Sequence, residues 1–598
     1  MELDPLGAFF LFPVLLMAGL GSIYGLRYWP QSEHPANGRG LRFFWGTLMA
    51  GLVVIILARN SILFLFAWEA MALSAFFLVG TEDHEPSVRD ASWLYLVAAH
   101  VGTLSLFAMF ALLHRITGSW DFRALAPGEA GLGPLTAIFA LLVLGFGVKA
   151  GLMPFHVWLP SAHSNAPSHV SAVLSGIVLK IGIYGLVRFT GYLPAAPVSW
   201  GGLVLLLGIV SGILGVAFAV SQHDLKRLLA YHSVENIGII VMGLGLGMLG
   251  RSLHRPEWIL LGMAGCLLHV WNHALFKSLL FLGAGSVVHA MRTREIDRMG
   301  GLAKRMPATA FFFLVGAVAI CGLPPLNGFV SEFLVFLGLF RTVGLNGEPS
   351  WSGAALGVPA LAMIGALALA CFVKVYGAVF LGLPRSDRCA RAHESPASMI
   401  GPMAVLALAC AAIGLAPSLV APILDRAVAA WIPGAPPLPP LSAHAPLPWI
   451  GLLGGGLLAL TGLSWILLRA RLSRAPSGTA GTWDCGYARP TPRMQYTSSS
   501  FARTLVDLFR AALRPKVRRP RIEGLFPSTS HFESHVDDAV LDGIIVPALK
   551  QAKRRTDWLH AFQQGQIQKY VLYILVTLLV LILWVLPVDE FLRRIFTQ

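Results

Sequence analysis

Long apolar runs, separated by short connections that carry charges, prolines or glycines, recur almost from one end of the chain to the other. A helix needs about 20 mostly apolar residues to cross the hydrocarbon core of a bilayer, and the pattern predicts about fourteen such spans. They fall at 8–27, 41–58, 61–80, 90–113, 135–159, 167–193, 200–220, 228–249, 257–287, 308–340, 356–383, 399–423, 447–468 and 569–587. Because lipid offers the backbone no hydrogen-bond partners, these spans must be helices; a large β-barrel would show short alternating segments. The sequence therefore predicts an all-α, polytopic membrane protein.

The composition agrees with this class. Of the 598 residues, 56% are hydrophobic and only 13% are charged, against about one quarter charged in soluble domains. The formal net charge of +15 comes from short loops and one late segment. It does not come from a basic domain with interleaved aromatic residues, so it does not indicate a nucleic-acid partner. The six cysteines form no CxxC pair and predict ordinary thiols rather than a zinc or iron–sulfur site. The first apolar run lacks the flanks of a signal peptide, so we expect it to stay as an anchor.

Basic residues in the short loops predict the orientation of the spans. The connections that carry them are separated by even numbers of spans, so all of them can lie on one side, which we expect to be cytoplasmic. They contain Arg27, Arg39 and Arg42, Lys226 and Arg227, and the basic residues of 292–305 and 385–391. The intervening Pro-rich connection 433–448 has no Lys or Arg. Both termini should then face outward.

One substantial polar segment, 469–568, falls on the cytoplasmic side by the same count. It is too small for a catalytic domain of ordinary size. Its second half, 535–569, mixes aliphatic and charged residues as a helix lying along the membrane surface does. A plain interfacial anchor and an element that couples this chain to its neighbours both fit that pattern.

Charged residues also occur within the apolar runs. They are Glu69, Lys149, Lys180, Lys277, Glu332 and Lys374. An ionisable group at membrane depth costs several kcal/mol unless it is paired or hydrated, so each of them is a functional candidate. For any single one, a snorkelling side chain or a structural ion pair is the alternative. The whole set indicates a path for protons or ions.

His269, His273 and Lys277 are spaced i, i+4 and i+8, which places them along one helical face. Two histidines and a lysine in a row are suited to passing protons. Zinc can also bind histidines at i and i+4, but no HExxH motif and no third ligand accompany them, so we predict no metal. Isolated core histidines are the structural alternative.

Two spans contain helix breakers. GVKAGLMPFHVWLP, which also holds the additional candidate His156, has Gly151, Pro154 and Pro160, and AICGLPPLNGFVSE has Gly322, Pro324, Pro325 and Gly328. Such breaks at membrane depth are tolerated where protein or a watery cavity satisfies the backbone, and they often mark ion sites in repeat-built transporters. Each break has a charge beside it.

The breaks lie in the fifth and tenth spans, and an offset of five spans predicts two inverted five-helix repeats, each with a broken helix. The repeats should cover spans two to six and seven to eleven. The predicted organisation is an amino-terminal helix and loop, two repeats, accessory spans, the polar segment and a final helix, at 1–40, 41–193, 194–383, 384–468, 469–568 and 569–598.

One motif is a decoy. Gly245, Gly247 and Gly250 satisfy GxGxxG, but no strand precedes them and the stretch is itself a predicted span. Close helix packing is the better interpretation. No Walker lysine motif or nucleophile elbow occurs either. The sequence therefore shows no catalytic motif of its own, and whether the chain is part of an enzyme depends on the proteins with which it assembles.

Several strings resemble a known family. They are NHALFKSLLFLGAGSVVH, RMGGLAKRMPATA, GLPPLNGFVSEF and KAGLMPFHVWLPSAHSNAPSHVSAVLSGIVLK. They resemble the antiporter-like proton-pumping subunits of respiratory complex I and its relatives, over roughly residues 41–423. Two later strings, WDCGYARPTPRMQYTSSSFA and QQGQIQKYVLYILVTLLVLILW, resemble the large membrane subunit of hydrogenase-4 and formate-hydrogenlyase type complexes.

The resemblance implies two half-channels joined by a hydrated central axis. Position by position, Glu69 resembles the glutamate that pairs with the broken-helix lysine, here Lys149, and Lys180 resembles the lysine on the next helix. The further matches are His269 and Lys277 for the relay toward the second half, with His273 beside them, and Glu332 for the terminal residue near the second break.

This sequence also departs from the family. Only one span precedes the first repeat, where larger members have about three, and Lys374 lies outside the family pattern.

The chain carries no redox ligand set, so the energy must come from partners. The resemblance implies iron–sulfur clusters and a nickel–iron hydrogenase-like module in a cytoplasmic arm, with formate or carbon monoxide oxidation as candidate electron sources. We therefore predict a proton-translocating subunit without a cofactor of its own, in the inner membrane of a prokaryote, in contact with other membrane subunits. A sodium/proton antiporter subunit and a membrane subunit of an inorganic-carbon uptake complex are the alternatives.

Overall fold

The computed structural model describes residues 1–194, 196–343, 352–433, 437–475, 478, 491–492, 494–519, 532–558 and 567–585. Within these ranges, twelve helices are long and apolar enough to cross a membrane. They coincide with twelve of the predicted spans and confirm the polytopic, all-α prediction. Of the two other predicted runs, 308–340 forms two shorter helices around a break, and the described part of 569–587 belongs to a helix, Ile567–Val585.

The first eleven helices run through the first half of the chain. They are α1 (Pro5–Tyr28), α2 (Gly38–Leu57), α3 (Ser61–Val79), α4 (Pro86–Thr117), α5 (Leu132–Ala150), α6 (Leu159–Asn165), α7 (Ser168–Val173), α8 (Leu179–Tyr192), α9 (Val198–Val220), α10 (Leu225–Ser252) and α11 (Pro256–Met291).

The second half continues with α12 (Pro307–Ile320), α13 (Asn327–Phe340), α14 (Ser352–Ala355), α15 (Gly357–Val379), α16 (Asp387–Arg391), α17 (Ala397–Leu415), α18 (Ala421–Trp431), α19 (Leu447–Leu472), α20 (Ser498–Leu508) and α21 (Arg510–Leu513). The carboxyl-terminal helices are α22 (Val546–Thr556) and α23 (Ile567–Val585).

Both predicted helix breaks are confirmed. Helix α5 ends because Gly151 adopts a positive φ of 73°, and the chain resumes as α6 with Pro160 in its first turn, where a missing N–H costs little. Helix α12 ends at Ile320, two residues before Gly322, whose φ is 61°, and α13 begins five residues after this glycine, at Asn327, after an irregular stretch. A third irregularity was not predicted: a π-helical turn, Leu174–Val178, joins α7 to α8.

Helix α10 lies at the centre, and its residues from Leu225 to Gly250 are buried on every side. The three glycines of the GxGxxG string allow neighbouring backbones to approach it. A Cβ atom at Gly245 would lie 2.5 Å from the backbone nitrogen of Leu205 in α9, and Gly247 and Gly250 face α11 in the same way. This confirms the helix-packing interpretation of the motif.

Three of the basic connections meet at one end of the helices. The backbone N–H of Ile296 donates to the carbonyl of His223 at 3.0 Å, and that of Leu225 donates to the carbonyl of Arg294 at 3.0 Å. The Arg388 guanidinium donates to the carbonyl of Arg292 at 3.1 Å. We call residues 221–225, 292–306 and 380–391 the basic face.

Residues Met1–Val536 form one compact unit, and Asp537–Gln598 form another. The first unit includes an element outside the all-α prediction, an antiparallel pair of strands, β1 (Lys516–Arg518) and β2 (Glu533–His535). The second unit contains α22 and α23; α22 lies within the surface helix predicted at 535–569. Residues 483–490 and 493 of the string WDCGYARPTPRMQYTSSSFA, with Cys485 among them, lie outside the described residues.

Candidate functional site

Lys149 stands one residue before the end of α5, at the first break. Its side chain is buried, and its ammonium group donates a hydrogen bond to the hydroxyl of Tyr95 in α4 at 2.9 Å. The same nitrogen lies 5.6 Å from the ring centre of Trp68 in α3 and 5.1 Å from that of Tyr95. Aromatic faces and one hydroxyl therefore hold this cation.

Glu69, the predicted partner of Lys149, follows Trp68 in α3. Its carboxylate lies 3.6 Å from Nε2 of His100 in α4, and the two side chains are 26% and 47% exposed, so this pair reaches the outer surface of the helices. Lys149 lies within electrostatic range of Glu69, but the described residues show no ion pair between them within 4 Å. The proposed pairing of Glu69 with Lys149 thus needs a movement of side chains.

Lys180 lies on α8, which packs directly on α5. A Cβ atom at Gly182 would lie 2.6 Å from the backbone nitrogen of Ala150, so only glycine allows this approach. The buried Lys180 ammonium donates to the carbonyl of Ser175 at 2.5 Å. Ser175 lies in the π-helical turn, and its hydroxyl is 2.7 Å from that of Ser233 in α10. The π turn therefore supplies the acceptor that satisfies this lysine, as such turns often do at functional sites.

His269, His273 and Lys277 follow one another along buried turns of α11. The rings of the two histidines are 6.5 Å apart. Nδ1 of His269 lies 2.9 Å from the hydroxyl of Ser331 in α13, and Nε2 lies 3.1 Å from Oδ1 of Asn236 in α10. This histidine therefore joins three helices.

His273 and Lys277 are less constrained. Neither ring nitrogen of His273, nor the Lys277 ammonium, makes a hydrogen bond within the described part of the chain, although all are buried. His273 lies within electrostatic range of Lys180 and Lys277. Buried polar atoms of this kind are costly in a dry site, which favours a hydrated pocket around these two side chains.

Glu332 lies in α13, beyond the second break, and is buried. A Cβ atom at Gly322 would lie 2.5 Å from its Oε2, so the glycine of the break leaves the space that the carboxylate occupies. Amides secure the surrounding backbone, since Asn272 donates to the carbonyl of Asn327 at 2.7 Å and to the hydroxyl of Ser331 at 2.8 Å.

Two buried residues in the centre were not predicted. His232 and Glu235 of α10 are in direct contact through Nδ1 and Oε2, and both are almost fully inaccessible to solvent. Glu235 lies within electrostatic range of Lys277 and of Glu332, so it connects the α11 lysine to the second break. The sequence did hold a signal, a glutamate in the middle of the apolar run 228–249.

His163 of α6 is a further buried histidine that was missed. It lies within electrostatic range of Lys180 and Lys277. Neither of its ring nitrogens makes a hydrogen bond within the described ranges. We call Lys180, His163, His269, His273, Lys277, Glu235 and Glu332 the buried row.

The two additional candidates lie apart from this row. His156 is buried inside the first break, with its ring 6.3 Å from that of Tyr231 in α10. Lys374 of α15 donates to the carbonyls of Val220 and Gln222, at 2.7 and 3.0 Å, and so sits at the carboxyl end of α9, near the basic face.

Comparisons with known proteins match this region. The family described as NADH:quinone oxidoreductase/Mrp antiporter, TM matches residues 58–346, which contain every candidate from Glu69 to Glu332. Hydrogenase-4 component B of Escherichia coli (strain K12) is 36% identical over 600 residues, which cover 98% of this chain and 88% of that protein. Formate hydrogenlyase subunit 3 of the same strain is 36% identical over 518 residues, which cover 86% of this chain and 81% of that protein.

The fold is also found in a solved structure. The membrane-bound sulfane sulfur reductase, an archaeal respiratory membrane complex, contains a chain that superposes with a TM-score of 0.74 at 23% identity. The match covers 97% of this chain and 89% of that one. At this identity, the likeness concerns the fold alone.

Proposed function

The chain belongs to the antiporter-like membrane subunits of the family described as NADH:quinone oxidoreductase/Mrp antiporter, together with hydrogenase-4 component B and formate hydrogenlyase subunit 3, and on this premise we propose that it translocates protons as a membrane subunit of a redox-driven complex. The observation that carries the proposal is the buried row. Seven titratable side chains on five helices converge in the interior. A charged group at this depth costs several kcal/mol unless it is paired or hydrated, which favours a functional role for the row.

The row has the properties of a relay. Lys180 and Lys277 are close enough to interact electrostatically, so a positive charge on one lysine disfavours protonation of the other. Between them stand histidines, which accept and donate protons near neutral pH. Glu235 then offers a carboxylate that favours a proton on Lys277. Protons should therefore move along the row as its charges are redistributed, from Lys180 toward Glu332.

Lys149 and Glu69 form the proposed switch at the entrance to the row. The Glu69 carboxylate contacts His100 in this structure, and moving it toward Lys149 would stabilise the Lys149 ammonium. When the carboxylate returns to His100, Lys149 would pass its proton across the α5–α8 contact to Lys180. The exposed position of Glu69 and His100 lets a neighbouring subunit drive that movement.

We further propose that the two broken helices are equivalent parts of inverted repeats, with half-channels at 41–193 and 194–383. Both breaks place a glycine with positive φ within two residues of a helix end and a titratable residue near it, Lys149 in one case and Glu332 in the other.

The names of two relatives support a proposal for the partners. These names contain hydrogenase and formate hydrogenlyase, so we propose a cytoplasmic arm with iron–sulfur clusters and a nickel–iron centre, driven by the oxidation of formate or carbon monoxide. The positive-inside rule places the basic face, and residues 469–568 with it, on the cytoplasmic side of a prokaryotic inner membrane.

Affinity purification of the tagged full-length chain in mild detergent, with mass spectrometry of the proteins that accompany it, tests this assignment. We expect nickel–iron and iron–sulfur subunits together with further membrane subunits, in excess over a purification from cells with the untagged chain. Small antiporter subunits alone would instead favour a sodium/proton antiporter, and a zinc protein would favour inorganic-carbon uptake.

A further inference from the structure

Lys374 is buried at the carboxyl end of α9, and Asp297 of the basic face lies within its electrostatic range. Its ammonium group is held by the carbonyls of Val220 and Gln222, where the helix dipole stabilises a cation. That contact alone could be structural. Lys374 also lies within electrostatic range of His232, which contacts Glu235 of the buried row. It therefore stands between the row and the basic face.

His223 is the next titratable group toward the surface. It follows α9 in the basic face, and its Nε2 lies 3.0 Å from the hydroxyl of Ser534. Its Nδ1 is buried and makes no hydrogen bond within the described residues. Burial, with a smaller contribution from Lys374, lowers the pKa of His223 below its ordinary value. At neutral pH the ring is thus uncharged and can accept a proton.

Asp297 is the third titratable group, and it lies in the connection 292–306 of the basic face. Its carboxylate accepts hydrogen bonds from the backbone N–H of Ser498 at 2.7 Å and from the hydroxyl of Ser499 at 3.4 Å. These residues form the amino end of α20, so the anion also interacts favourably with that helix dipole. His223 and Asp297 are within electrostatic range of each other.

A cavity of about 530 Å³ lies against His223 and Asp297. Residues of 497–519 and 532–536, among them those of α20 and the two strands, form the rest of its wall. The wall carries hydroxyl and charged side chains, of Ser499, Ser500, Arg503, Asp507 and Ser534. Apolar side chains, among them those of Val506, Val517 and Phe532, make up the larger part of the wall. A space of this size can hold on the order of ten water molecules.

We propose that Lys374 and His223 carry protons between the buried row and this cavity, and that Asp297 exchanges them with the cavity water. The inference rests on the proposed function and adds a site at the basic face, formed in part by the polar segment, where protons enter or leave the path. A hydronium ion in the cavity gives a proton to Asp297 and leaves water, and Asp297 passes the proton to the ring of His223, which becomes an imidazolium. Once the Lys374 ammonium has given a proton to the row, the neutral amine takes one proton from the imidazolium, which restores both the Lys374 ammonium and the neutral ring. The reverse order releases a proton, and no electron is transferred.

Inverted membrane vesicles with the intact complex, energised with formate, provide the test. We expect Lys374→Met and His223→Ala each to slow proton translocation by about tenfold or more, toward the low end of what a positioned proton carrier contributes. Lys304→Met is the matched control, because Lys304 is exposed in the basic face and does not line the cavity. Electron transfer from the donor to an artificial acceptor should stay unchanged in all three.

Imidazole added to the medium distinguishes proton transfer from a structural role. It should restore His223→Ala to at least half of the wild-type rate and leave Lys374→Met slow. Wild-type rates in both variants, or a slow His223→Ala that imidazole does not restore, would overturn the inference. If both variants are fast while Lys149→Met is slow, only this inference fails. A wild-type chain that moves no protons would overturn the proposed function and this inference with it.

Discussion

Replacing Lys149 by methionine should lower donor-driven proton translocation by about a hundredfold or more, the scale of a positioned proton donor or acceptor. Lys149 is the buried cation beside the first break, where Tyr95 and Trp68 surround it. Methionine keeps much of the volume but cannot bind a proton. The described residues show no ion pair of Lys149 with a carboxylate within 4 Å, so the change leaves no partner charge buried without its counterion, and the complex should still assemble. Fluorescence quenching of a pH-sensitive dye in inverted vesicles measures the rate.

Tyr95→Phe is a milder variant of the same site for comparison with Lys149→Met. It removes the hydroxyl that accepts the lysine hydrogen bond and leaves the aromatic ring, so we expect a loss of about tenfold rather than a complete one. The subunit composition of the purified complex must match that of the wild type in both cases. Translocation at the wild-type rate in Lys149→Met would rule out the switch proposed for the first break.

Replacing Glu235 by glutamine should slow translocation by about tenfold to a hundredfold. Glu235 is the carboxylate within electrostatic range of Lys277, and its contact with His232 is buried. Glutamine keeps the size and an acceptor oxygen but carries neither the charge nor a transferable proton. The same vesicle assay measures the rate. Glu235→Asp should retain more activity than Glu235→Gln, because it keeps the carboxylate.

Glu85→Gln is the control for the Glu235 variant, since Glu85 is exposed and contacts only the exposed His84 among its charged neighbours in the described chain. It should translocate protons normally. A normal rate in Glu235→Gln would remove Glu235 from the relay and leave Lys277 and Glu332 without a connecting group.

Much of the fold was predictable because the bilayer thickness sets the length of a span. The two breaks were predictable for a local reason: glycine permits a positive φ and proline removes a donor, as Gly151 and Gly322 illustrate. The π turn before Lys180 was not, because nothing in Leu174–Val178 distinguishes it from an ordinary helix turn. It depends on contacts with neighbouring helices, such as that between Ser175 and Ser233.

The site was predictable only in part. A charge inside an apolar run identified Lys149, Lys180 and Lys277, whereas Glu235 stands in LLAYHSVENIGII, where neighbouring polar residues interrupt the apolar pattern of the run. Its burial follows from the position of α10 among other helices, which periodicity along one chain does not reveal. The same limit applies to Tyr95, whose contact with Lys149 joins the neighbouring helices α4 and α5 between residues that are 54 positions apart.

The most direct test of the central claim is proton uptake by inverted vesicles that carry the wild-type complex, energised with formate in sodium-free buffer. We predict acidification of the interior that a protonophore abolishes and that added sodium does not accelerate, while Lys149→Met vesicles with the same complex content stay close to the baseline. Electron transfer without acidification, or acidification that requires sodium, would contradict the claim that this chain is a redox-driven proton translocator.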